Sequence, residues 1–177
     1  MARRIAILLL IGAALLSVAP VLTGSTPATA APFELAASAD NPCWKFKATE
    51  TDFNKKMNEE RAKQGLGKLS IDPELSKAAR VHTNEMVTRN ELYHTTSDNL
   101  RKRVTSWSVL GENVGVGSTV DSLHTAFMNS PAHRDNVLHA AYRHSGIGVR
   151  VAGGRMWVTI IFEAVTDPGT SLSMPRC

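Results

Sequence analysis

The chain has 177 residues, 43% of them hydrophobic, with 20 Lys and Arg against 16 Asp and Glu and a formal net charge of +4. That length accommodates one ordinary domain with a core of its own. The small charge excess excludes an extended nucleic-acid-binding face, because "RKR" at Arg101–Arg103 is the one basic run that stands out and reads as a solvated helix face.

Arg3 and Arg4 precede an uncharged run from Ile5 to Leu16, followed by Pro20 and a polar stretch ending in "ATA" at Ala28–Ala30. A basic start, a short apolar middle and small residues before the break describe a secretory signal peptide over 1–30, cleaved after Ala30 or Ala31. A membrane anchor is the rival, but the run falls short of the roughly 20 residues that a spanning helix needs. Removal of 1–30 takes away two arginines and no acid, so the net charge falls to +2. An extracellular protein without a membrane anchor is expected.

Residues 31–48, with Pro32, Pro42 and several alanines and serines, read as an N-terminal arm, leaving 49–177 as the domain. Cys43 and Cys177 are the only cysteines. An even count in an exported chain favours a Cys43–Cys177 disulfide over two unrelated thiols. Closing so long a loop is worth about 4–5 kcal/mol by chain entropy.

Regular structure is expected from about Thr51. "TDFNKKMNEERAKQG" offers Thr51 as cap, Phe53 and Met57 four apart, and Gly65 as a stop. A second helix opens at "DPEL", with Asp72 as cap, Pro73 in the first turn and Glu74 suited to the dipole. Its apolar stripe runs through Leu75, Ala78, Ala79, His82 and Met86. "SDNLRKRV" predicts a short third helix, "VDSLHTAFMN" a fourth, and "SPAHRDNVLHAA" a fifth with Ser130 as cap and Pro131 at its first position. The period then changes. "GIGVRV" and "RMWVTIIFEAV" flank Gly153–Gly154 as a hairpin, and "ENVGVG" supplies a further strand. Helices first and strands last imply an α+β fold with helices packed on a small sheet.

Of the six histidines, His82 reads as a core or boundary residue, His124 as an exposed mid-helix residue, and His139 and His144 as surface. No HExxH pair is present. His94 lies in the polar loop "NELYHTTSDN", and His133 falls in the first turn of the fifth helix. The positive end of that helix disfavours an imidazolium, so His133 is expected to be neutral near pH 7, the state that a metal or a proton acceptor requires.

"NEERAKQGLGKLSIDPELSKAARVHTNEMVTRNELYH", "LGENVGVG", "AFMNSPAHRDNVLHAAYRHSGIGVRV" and "GRMWVTIIFEA" together resemble the CAP superfamily in its bacterial SCP branch, from about Phe53 to Glu163. That superfamily comprises the cysteine-rich secretory proteins, antigen 5 and the pathogenesis-related 1 proteins. The resemblance implies an α-β-α sandwich whose cleft is lined by histidines and glutamates able to bind a divalent cation, often zinc. By motif position it assigns His94, Glu112 and His133 to that set as metal ligands, and makes the same three the candidate catalytic residues. Glu112 is then expected at a strand start, with Gly111 turning the backbone and Val114 and Val116 buried. Two neutral imidazoles and a carboxylate suit zinc with one position left open. The second glutamate of animal and plant members is replaced here by Asn129 or Ser130, and their tryptophan by Phe127. The readings left open are a monomeric binding module for an extracellular ligand or protein, a metal-assisted hydrolase of peptide, cell-wall or phosphodiester bonds, and a lipid carrier.

Overall fold

The computed structural model describes residues 44–105 and 107–164. The expected signal peptide, most of the arm, and both Cys43 and Cys177 lie outside the described residues. In chain order the elements are α1 (Ala48–Lys63), β1 (Ser70–Ile71), α2 (Pro73–Arg89), α3 (Ser97–Arg103), β2 (Val109–Gly117), α4 (Val120–Asn129), α5 (Pro131–Val137), β3 (His144–Ala152) and β4 (Arg155–Ala164).

Local chemistry sets most of the boundaries. The Asp72 side chain accepts from the Leu75 N–H at 2.9 Å and Pro73 opens α2, which ends at Asn90 in the left-handed region (φ 51°). Gly153 and Gly154 take φ of 57° and 70° between β3 and β4, the conformation a two-residue hairpin turn demands. Ser130 is extended (φ −96°, ψ 118°) because Pro131 follows it, and this breaks what would otherwise be one long helix into α4 and α5. The first helix departs from expectation. It begins at Ala48, with Lys47 capping, so Thr51 lies inside the first turn and its hydroxyl donates to the Ala48 carbonyl.

The strands form one four-stranded sheet in the order β1-β3-β4-β2. β2 and β3 both pair antiparallel with β4. The sheet is not wholly antiparallel as expected, because the two-residue β1 adds to β3 in parallel, Ser70 opposite His144. Alternation along β4 then defines two layers. Val158, Ile160 and Phe162 join Phe53, Met57, Leu123, Phe127 and Val137 on the side of α1, α4 and α5. Ile161 packs with Leu75, Ala78 and Ala79 of α2, and Trp157 with Met86 and Val114. The result is the α-β-α sandwich.

Gly146 and Gly148 of β3 let α2 lie against the sheet, since a Cβ at either would overlap the α2 backbone at Leu75–Ser76 or Ala79–Arg80. Gly148→Ala is expected to cost about 1–3 kcal/mol by overpacking, read by urea unfolding. An unchanged midpoint would mean that α2 has slack against the sheet.

Among the remaining histidines, His82 is fully buried and His139 is exposed, as expected. His124 is not exposed. It turns beneath α4 toward α1, with its Nε2 3.9 Å from Glu60, and burial lowers its pKa below the ordinary imidazole value.

Candidate functional site

Glu112 lies within β2 rather than at its start, opposite Ile161 of β4. Its side chain points toward the loop between α2 and α3. Gly111 beside it does not turn the chain. Its value is close approach, because a Cβ there would overlap the Tyr142 hydroxyl and meet Asn136 Oδ1 at 2.8 Å. Val114 is buried and Val116 half-buried.

Three donors converge on the Glu112 carboxylate, which is only 5% exposed. Oε1 accepts from His94 Nδ1 and from the Thr95 backbone N–H, each at 2.9 Å, and Oε2 accepts from the Thr95 hydroxyl at 2.5 Å. A carboxylate facing Nδ1 fixes the proton there, so the lone pair of a neutral His94 is at Nε2. The His94 side chain is 60% exposed, which leaves that nitrogen open to solvent.

His133 comes from the opposite layer. Its Nδ1 lies 2.9 Å from the Ser130 hydroxyl, and the Phe127 ring tilts against it at 5.0 Å. Ser130 does not cap α5 through its side chain, as the sequence led us to expect; that hydroxyl is engaged with the imidazole instead. Burial, and then the nearby charge of His94, lower the His133 pKa. The shift is toward the neutral form expected for His133, with desolvation rather than the helix terminus as its main cause.

Two asparagines tie the layers together. Asn136 of α5 donates from Nδ2 to the Glu112 carbonyl (3.2 Å) and to Asn113 Oδ1 (2.9 Å), while Asn113 Nδ2 donates to the His133 carbonyl at 3.0 Å. His94 and Glu112 are thus in direct contact, and the His133 backbone is linked to the strand that carries Glu112 through Asn113 and Asn136. Among the described residues, no three His, Cys, Asp or Glu side chains gather as a ready metal cluster. Sequence reasoning missed Thr95, Asn113 and Asn136. Asn113 was within view as the third residue of "GEN", whereas Thr95 and Asn136 carry no local signal.

Residues 55–162 match the cysteine-rich secretory protein family, CAP. An uncharacterized protein, YkwD, of Bacillus subtilis is 36% identical over 107 residues, covering 56% of this chain and 41% of its own length. The chain therefore spans about two-fifths of that relative. The SCP-domain structure of an extracellular protein from Bacillus anthracis superposes with a TM-score of 0.58 at 22% identity, over 66% of this chain and 40% of that one. NaASP2, solved with Zn2+, gives 0.56 at 11% identity over 77% and 91% of the two chains. At such identities the two structures speak for the fold alone. The family match covers most of the chain, and this protein belongs to the CAP family.

Proposed function

We propose that this is an exported CAP-domain protein that holds a divalent cation, zinc favoured, between His94 and His133, in a site open to an extracellular ligand or partner. One observation carries the reading: each imidazole is engaged through Nδ1, His94 by Glu112 and His133 by Ser130, which leaves both Nε2 atoms as the available donors. Imidazole nitrogens suit zinc, and remaining positions would go to solvent or a ligand oxygen. Glu112 acts behind His94, fixing its tautomer and raising its basicity. Lowering of the His133 pKa favours the neutral form that can donate. NaASP2 with Zn2+ supports a cation on this fold, and the extracellular Bacillus anthracis protein supports export.

Calorimetric titration with zinc tests the reading. His94→Ala and His133→Ala should each abolish the site, and Glu112→Ala should weaken it about 10–100-fold. Equal heats in wild type and in both histidine variants would remove the proposal.

A bound zinc would supply Lewis acidity, so a metal-dependent hydrolase is the second reading. It is favoured by the Glu112 carboxylate lying against His94, a candidate base beside the cation. If zymography on peptidoglycan, casein and DNA finds an activity, His133→Ala should eliminate it, and retention of that activity would exclude this assignment.

A further inference from the structure

His94 is delivered by a loop that has little packing of its own. Between the end of α2 and the start of α3, Glu91, Leu92, His94 and Thr96 are exposed, and Tyr93 and Thr95 are half-buried. Thr95 is clamped by Glu112 on the far side of His94. The near side has a different clamp. His82, in the middle of α2 and fully buried, places Nε2 2.7 Å from the Tyr93 carbonyl oxygen. A carbonyl can only accept, so Nε2 carries the proton of that bond.

The Tyr93 carbonyl and the His94 N–H belong to one planar peptide unit. Fixing the carbonyl therefore fixes the direction in which the chain enters His94. The His82 ring is itself immobilised. Its Nδ1 faces Glu85 Oε2 at 3.2 Å, and Glu85 Oε1 accepts from Arg103 of α3 at 2.6 Å. The Tyr93 ring stands edge-on to His82 with ring centroids 4.9 Å apart, and the Arg89 guanidinium lies 4.9 Å from the Tyr93 ring centroid. His94 is thus suspended between two clamps, one on a buried imidazole and one on a buried carboxylate.

We infer that His82 is a positioning residue for the cation site, holding the Tyr93–His94 peptide so that His94 Nδ1 meets Glu112 and its Nε2 stays free for the cation. The inference rests on the proposed cation reading, but it predicts a backbone effect that can be measured without any metal. His82→Leu fills the space and removes the donor, and His82→Gln restores an N–H donor at similar reach.

The experiment uses the full chain and zinc ions alone as probe, at a temperature where thermal melts show each variant folded. His82→Leu should weaken zinc binding by about 10–100-fold and speed exchange of the Thr95 amide, while His82→Gln recovers much of both. A folded His82→Leu with unchanged zinc affinity and unchanged Thr95 exchange would overturn the inference. Should wild type bind no zinc, the cation reading falls and Thr95 exchange still decides the positioning role. Should His82→Leu fail to fold, wild-type NMR decides: a scalar coupling between the His82 Nε2–H and the Tyr93 carbonyl carbon supports the clamp, and its absence overturns it.

Discussion

Glu163→Gln is expected to raise the unfolding free energy by about 4 kcal/mol at pH 8 and to change it little at pH 4. Glu163 sits near the end of β4, fully buried, and neither carboxyl oxygen has a hydrogen-bond partner. Burial, then the charges of Asp72 and Glu74, push its pKa from 4.5 up to about 8. The folded state therefore keeps the proton to a higher pH than the unfolded chain does. Stability is complete below pH 4.5 and is lost as pH rises through the window to 8, because unfolding releases a proton throughout it. Glutamine mimics the neutral acid and has no such dependence. Urea unfolding of both proteins between pH 4 and 8 reads the effect directly. Parallel stability curves would show that Glu163 finds a partner in solution.

Arg61→Met should destabilise the fold by about 3–5 kcal/mol, the second large effect. Arg61 of α1 is fully buried at helical spacing from Phe53 and Met57, yet it spends its guanidinium on backbone alone. Nε donates to the Gly67 carbonyl (2.7 Å), Nη1 to Val137 and His139 (each 2.9 Å), and Nη2 to Tyr142 (3.2 Å). Methionine fills the apolar part of the space but leaves those carbonyls without their donor. Val137 closes α5, the helix that carries His133, so zinc affinity should fall together with stability. A loss below about 1 kcal/mol in urea unfolding would mean that water replaces the guanidinium.

The difference between what was legible in the sequence and what was not follows the range of the forces involved. Asp72-Pro73 and Gly153–Gly154 act within a turn of chain, so their helix start and hairpin were readable. The strand β1 was not, because Ser70 and Ile71 become a strand only by meeting His144 and Ser145 across the fold. Ser130 reads as a cap, and only the packing of α5 beside Phe127 turns its hydroxyl to His133 instead. His124 shares its helix with polar neighbours, and the approach of α1 that buries it leaves no local trace. Glu163 closes a β-rich run with no local sign of its burial, whereas the sheet carries it under α2. The motifs did place His94, Glu112 and His133 in one family pattern. They could not show that Glu112 faces the His94–Thr95 backbone, since that depends on the register of β2.

X-ray absorption at the zinc edge, on protein loaded with one equivalent of the metal, addresses the central claim most directly. Two imidazole nitrogens at about 2.0–2.1 Å are predicted, reduced to one by either His94→Ala or His133→Ala. A spectrum without imidazole scattering, or one that neither substitution alters, would contradict the account.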